Sequence, residues 1–342
     1  MKVNTHIKEK NIVRTSVWRL SVIIPTLNEV AYLPTLLEAL AAQTCPADEI
    51  IVADAGSTDG TAELARRRGT RVVRGGMPAV GRNAGAKVAS GELLFFLDAD
   101  VIPPPDFLEH AVTEFQRKGY DVATVVMTPW DGNLLDQVVH EAANLYFLLM
   151  QFFKPYAPGF CILARREIHE VIGGFDETLY MTEDQDYVRR AARHGHFGIL
   201  TSTHIPVSMR RIRKEGLIGL GMKYLWCETN LLMGKPIYQI PFEYEFGAFS
   251  PPLRKGRQAK YRLPLSVSSL RQTESFRQLV RSTKPLQLSF SIDLSRLYRL
   301  LEERAAPSRP SRLLAAPRSW VKSDESRLPL EANSKCRFPD EN

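Results

Sequence analysis

Residues 81–100 read GRNAGAKVASGELLFFLDAD. From Val80 to Ala89 most side chains are small, with Gly81, Ala84 and Gly85 among them, and predict a helix that lies close against its neighbours, with Gly91 just beyond it. Leu93 to Leu97, LLFFL, then predicts the most apolar strand of the chain, continuous in the way of a parallel strand buried on both faces. Asp98-Ala99-Asp100 follows at once. Two carboxylates at i and i+2 on a strand end are unfavourable together unless a cation neutralises them. Hard oxygen ligands suit Mg²⁺ or Mn²⁺, ions able to bridge a protein to a diphosphate. A turn with two solvated aspartates has the same sequence, so the surrounding segments decide between the two readings.

Upstream, Ser21 to Pro25, SVIIP, predicts a short buried strand. Leu33, Leu36, Leu37 and Leu40 share one helical face, with Pro34 in the first turns, where an amide is least missed. Glu49 to Ala53 predicts a second strand, Asp54 to Thr61 a turn-rich loop, and residues 70–74 a third strand. Asp59 is placed to cap the helix between them, which Gly69 ends. Strands alternating with helices predict an α/β fold with a mostly parallel, Rossmann-like sheet flanked by helices. In such a sheet the ligand lies beyond the carboxyl ends of the strands. The polar loops at Thr26–Glu29, Asp54–Asp59 and Asp98–Asp100 should therefore meet at one crevice.

The second half is less regular. A helix is expected over about 134–153, loop and strand over 158–164, a helix over 166–172 ended by Gly173-Gly174, and another over about 183–194. Within the first of these, residues 142–153 (AANLYFLLMQFF) are too few for the roughly 20 residues a bilayer span needs. They lie on a membrane surface or pack in the core, and core packing or covering of the active site is the expectation. Past Pro251 the chain is rich in Ser, Arg and Pro, and only 293–304 has a helical pattern. This gives a catalytic domain over 18–250 and a mostly disordered tail over 251–342. The formal charge is +7; the tail, with 19 Lys+Arg and 9 Asp+Glu, holds a net +10, leaving −3 for the rest. Such a tail is a solvated segment or one that touches an anionic membrane; no nucleic-acid partner is expected. The four widely spaced cysteines indicate neither a zinc site nor a disulfide framework. The seven histidines show no ligand spacing, and His194 and His196 belong at the surface of a helix end. No apolar h-region follows the basic start MKVNTHIKEKNIVR, so a cytoplasmic protein is expected, peripheral at most to the inner face of the membrane.

Taken in order, SVIIPTLNE (21–29), VADAGSTDGT (52–61), GRNAGAKVASGELLFFLDAD and TEDQD (182–186) resemble the GT-A glycosyltransferases of family 2, over about Leu20 to Gly234. The resemblance implies transfer of a sugar, with inversion, from a nucleoside-diphosphate sugar to an acceptor hydroxyl, with Mg²⁺ or Mn²⁺ at Asp98 and Asp100. It implies that Pro25, Thr26, Asn28 and Glu29 cradle the nucleotide and that Asp54 holds base and ribose. A second acid often follows in the family; here Ala55 stands there, which leaves the base open. Arg82 is carried over as a residue near the nucleotide, where a guanidinium can pair with the donor phosphates or with Asp98. In Thr182-Glu183-Asp184, Asp184 is the expected base that takes the hydroxyl proton, Glu183 a ligand of acceptor hydroxyls and Asp186 the reserve base. An acidic helix start is also favourable to the helix dipole, but that does not account for the matching Gly-Gly-Phe-Asp at 173–176. Arg210, Arg211 and Arg213 hold a leaving diphosphate or a phosphorylated acceptor, or form a solvated basic face. The QxxRW segment of processive members is absent, which argues against a polymerising synthase. The acceptor, saccharide or lipid-linked, is not readable. Two alternatives stand beside this reading. A nucleotidyltransferase would place a glycine-rich basic loop after the first strand, where PTLNE has neither feature. A degenerate sugar-nucleotide-binding scaffold would not need Asp98, Asp100 and Asp184.

Overall fold

The β-branched run after Arg19 becomes β1 (Leu20–Thr26), and the next three predicted strands follow as β2 (Glu49–Asp54), β3 (Arg71–Arg74) and β4 (Leu93–Leu97). The structure, a computed structural model, describes residues 18–244; the expected tail over 251–342, with its helical stretch 293–304, lies outside them. Helices α1 (Leu33–Ala41), α2 (Thr61–Arg67) and α3 (Pro78–Val88) join these strands, which all pair in parallel. The chain steps from β1 to β2 to β3, then returns to lay β4 on the other side of β1. That reversal opens a crevice at the carboxyl ends of β1 and β4, where Thr26 and Asp98 stand.

All five side chains of β4 are fully buried. Phe95 and Leu97 enter one core cluster with Leu33, Leu36 and Phe107, while Leu94 and Phe96 enter a second with Ile23, Phe175 and Tyr187. Burying each such side chain stabilises by roughly 1.5–3 kcal/mol, so the strand that carries Asp98 is firmly held. On α3 a side chain at Gly85 would run into Ile23, and a Cβ at Gly81 would stand 3.1 Å from Pro25. The small residues thus let α3 lie directly on β1, which seats Arg82 at the crevice.

Beyond β4 the chain forms α4 (Phe107–Arg117), β5 (Val122–Trp130), α5 (Leu134–Met150), β6 (Cys161–Arg165), α6 (Arg166–Val171), α7 (Glu183–Ala191), β7 (Phe197–Ser208), α8 (Arg210–Glu215) and α9 (Leu217–Leu232). Strand β6 runs antiparallel between β4 and β5, and β7 pairs parallel with β5, with a register shift between Val125 and Val126. The sheet order is β3-β2-β1-β4-β6-β5-β7, mostly parallel, as expected. Elements α4, β5, β7, α8 and α9 had no counterpart in the sequence reading. Strand β7 carries Thr201, Ser202, Thr203 and His204 in its middle and is held as a strand by β5, not by its own pattern.

Three expectations need correction. The helix over 134–153 ends at Met150, and the stretch 142–153 is only partly core: Phe147 and Leu148 are buried, but Phe153 is 84% exposed. The helix has a core face only where it lies on β5, with Asn144 gripping both the amide (3.0 Å) and the carbonyl (2.8 Å) of Met127. The cap position of α2 is Gly60, not Asp59; Asp59 accepts from the amides of Thr61 and Val30, 3.0 Å each, and so ties the first two loops together. Helix α7 stops at Ala191 instead of His194.

Candidate active site

The first loop begins where β1 ends. Thr26 Oγ1 donates to Asp54 Oδ1 (3.1 Å), and Asp54 Oδ2 accepts from the amides of Gly56 (3.0 Å) and Ser57 (2.9 Å). Asn28 adopts φ 55°, a left-handed conformation that favours glycine, and its Oδ1 accepts from the amide of Thr58 (2.9 Å). Asp54 and Asn28 therefore brace the two loops against each other, and their side-chain oxygens are taken up by that bracing. Pro25, Thr26 and Glu29 line the cavity that the loops enclose; Asn28 and Asp54 are not among its lining residues.

Arg82 organises the acids. It lines the cavity although only 3% exposed; its Nη1 donates to Glu183 Oε1 at 2.7 Å, and its Nη2 to Asp98 Oδ1 and to the Gly159 carbonyl, both at 3.0 Å. The ring of Phe175 lies 5.4 Å from the guanidinium carbon. The sequence offered Arg82 donor phosphates or Asp98 as partners, and Arg82 contacts Asp98 here. Asp98 opens 37% of its side chain to the cavity, yet the protein around it withholds enough water to push its carboxyl up to about 6, against the pull of Arg82 and with the push of Asp100.

Glu183 and Asp184 open α7, and Thr182 before them is left-handed, φ 67°. A non-glycine residue held there is a mark of functional sites, because the fold has to sustain it. Glu183 lines the cavity with its carboxylate tied to Arg82. Asp184 lies against Gly159, where a Cβ would stand 3.1 Å from its Oδ2. Burial, then the charge of Glu183, raises the Asp184 carboxyl to about 7, with Arg82 opposing. Asp186 is committed elsewhere, to Arg190 at 2.6 Å.

Arg210 holds the other flank. Its Nη1 and Nη2 donate to the two Glu29 oxygens at 2.6 and 2.7 Å, its Nε pairs with Asp100 at 2.8 Å, and Tyr32 lies 4.6 Å away. This overturns the solvated-face alternative for Arg210. Arg211 also faces the cavity, 4.1 Å from the Tyr244 ring, whereas Arg213 turns away to Asp131. Glu29, expected on the nucleotide, has its carboxylate filled by Arg210, and burial raises that carboxyl in spite of the pair. Gly159 and Tyr244 line the cavity without any signal in the sequence; both arrive by tertiary contact.

The cavity has a volume of about 360 Å³. Asp98 exposes 37% of its side chain and Asp100 13%, so a ligand meets Asp98 first. Among the described residues no group of three or more His, Cys, Asp or Glu side chains is set to hold a metal ion. Two carboxylates beside an open cavity fit a hard cation that takes its remaining oxygens from a diphosphate and water, and do not fit one caged by protein alone.

Residues 21–173 match the profile described as Glycosyl transferase family 2. The chain carries a glycosyl transferase family 2 domain. The enzyme class is glycosyltransferase. The crevice built by β1 and β4, within the matched residues, and by α7, beyond them, is the candidate active site. The chain is 28% identical over 227 residues to Glycosyltransferase AglE of Haloferax volcanii, a match covering 60% of this chain and 73% of that protein. It is 28% identical over 194 residues to the succinoglycan biosynthesis protein ExoA of Rhizobium meliloti, covering 51% of this chain and 58% of that protein. Among solved structures it is similar to the mannosyltransferase PcManGT from Pyrobaculum calidifontis, in complex with GDP-Man and Mn²⁺, with a TM-score of 0.49 and 22% identity over 62% of this chain and 65% of that one.

Proposed function

We propose that this family 2 domain transfers a sugar, with inversion, from a nucleoside-diphosphate sugar to an acceptor hydroxyl. The observation that carries the reading is the Arg82 cluster, which joins Asp98 at the end of β4 to Glu183 and Asp184 at the start of α7. The nucleotide lies against Pro25, Thr26 and the loop braced by Asn28 and Asp54. A divalent cation, Mg²⁺ or Mn²⁺, held by Asp98 and Asp100, would neutralise charge on the departing diphosphate. Arg210 and Arg211 both line the cavity and add positive charge there.

The acceptor oxygen attacks the anomeric carbon from the face opposite the diphosphate. The new C–O bond forms as the bond to the diphosphate oxygen breaks, and the diphosphate leaves with the electron pair. Asp184 takes the hydroxyl proton. A carboxyl raised to about 7 is close to the acid strength at which a general base works best near neutral pH. Glu183 is tied to Arg82 at 2.7 Å, so its part is to orient acceptor hydroxyls and to hold the Asp184 carboxyl up. The test is titration calorimetry of UDP-, GDP- and dTDP-sugars with and without Mn²⁺, on the wild type and on Asp100→Asn. Metal-dependent donor binding should weaken in the variant; unchanged metal-dependent affinity would remove Asp98 and Asp100 as the cation's seat.

A further inference from the structure

Helix α9 has two unlike sides. Its inner side, Leu220, Cys227 and Leu231, is buried, and Cys227 packs with Met181 just before Thr182. Its outer side carries Ile218 (82% exposed), Met222 (62%), Leu225 (59%) and Leu232 (62%). The only charged residues between 217 and 234 are Lys223 and Glu228, and both are turned in: Lys223 Nζ binds Glu215 (2.8 Å) and the Glu243 carbonyl (2.7 Å), and Glu228 accepts from Tyr146 (3.0 Å). A surface helix ordinarily turns its charges outward and its apolar residues inward. Here the outward face has no exposed charge along the helix. The end of α5 lies against α9: Lys154 Nζ donates to the Leu231 carbonyl (2.6 Å), and Phe152 and Phe153, next to it in sequence, are exposed. Most exposed large hydrophobic side chains among the described residues fall in these two stretches, 134–153 and 217–238, so the apolar surface is gathered on part of the molecule.

We propose that the outer face of α9, with the end of α5, docks on an anionic phospholipid bilayer. The charge pattern selects this occupant. Exposed Lys214 and Lys235 flank the helix, and no acidic residue is exposed along it. The chain leaves the described residues at Tyr244, next to the Lys223 anchor on α9, and continues into residues 251–342 with 19 Lys+Arg against 9 Asp+Glu. An apolar helix face together with a basic segment is the two-part signal that gives stable attachment to an anionic leaflet. A second copy of a chain with net charge +7 brings like charge to the same place. At 16 residues α9 is shorter than the roughly 20 that cross a bilayer, and no described helix is long and apolar enough to do so, so the helix lies in the interface instead of spanning it. Because the inner side of α9 packs on Met181, docking puts the bilayer on the far side of the helix that backs the start of α7. The docking itself does not depend on the proposed reaction.

The test is co-sedimentation of the full chain with phosphatidylcholine vesicles, with and without phosphatidylglycerol, for the wild type and for Ile218→Glu/Leu225→Glu. Both side chains are exposed, so the variant should keep its melting temperature and its nucleotide affinity in vesicle-free buffer, which also separates this test from the proposed function. The wild type is expected to bind the anionic vesicles, and the double variant to bind about tenfold more weakly or less. Equal vesicle binding by variant and wild type would assign attachment to the basic tail alone and overturn the proposal, as would a wild type that ignores both vesicles. A wild-type dimer that the variant dissolves, with no vesicle binding, would replace the bilayer with a second copy. A lowered melting temperature with unchanged vesicle binding would show that the chain's own residues cover the face, and would also overturn the proposal.

Discussion

Replacing Arg82 by Met removes the one cation between three carboxylates while keeping most of the buried volume. In the wild type the guanidinium sits 2.7 Å from Glu183 and 3.0 Å from Asp98, and its charge also opposes the upward push on Asp184. Breaking a buried pair by deleting one partner typically costs about 3–5 kcal/mol, because the other charge is left uncompensated. For a domain of this size a loss of 1 kcal/mol lowers Tm by roughly 2–4 °C, so the expected fall is roughly 6–20 °C near pH 8. The pH dependence separates charge from packing. With folded pKa values raised to about 6 for Asp98 and about 7 for Asp184, these carboxyls contribute a stability that is full below their unfolded values and is lost as pH rises through 6 to 7. Without Arg82, which lowers both, they rise further. In acid they are then neutral, and the missing cation matters less. The deficit of Arg82→Met should therefore be largest near pH 8 and shrink to less than about half near pH 5. The assay is thermal unfolding of both proteins across this range. A Tm deficit that is small throughout, or constant with pH, would refute the account of Arg82 as the counter-charge of the cluster.

Asp184→Asn should lower turnover by about 10²–10⁴-fold while donor affinity survives, measured on the same purified variant; near-normal turnover would pass the base to Glu183. In wild-type kcat/KM the acid limb should fall near pH 7, with activity lost as pH drops and Asp184 takes its proton. Glu183→Gln removes the charge that helps raise Asp184 and leaves Arg82 free to lower it, so the limb should move to lower pH; a limb that stays or rises would mean another group is titrating. Arg210→Gln frees Asp100 from its 2.8 Å ion pair, so Mn²⁺ alone, without nucleotide, should bind on the order of tenfold more tightly by calorimetry. Unchanged metal affinity would show that Arg210 and the cation do not compete.

What the sequence alone determined is what local pattern controls. The apolar run 93–97 had to be a doubly buried strand, the alternation before it had to make parallel units, and Asp98 and Asp100 had to stand at a strand end, because hydrophobic period and turn residues act within a few positions. Gly81 and Gly85 likewise announced close packing of α3 on β1, as the contacts with Pro25 and Ile23 bear out. What only the tertiary structure decided is which charge faces which. Arg82 reaches Glu183 across 101 residues and Arg210 reaches Glu29 across 181, pairings set by the order in which strands are laid beside one another. Strand β7 escaped the pattern because its polar middle is held by β5, whereas β5 carries the buried run Val122–Val126 and was legible but passed over. Helix α9 has an apolar outward face that no single-chain periodicity separates from a core face: burial depends on what else the fold brings against a helix, and on that side the described residues bring nothing.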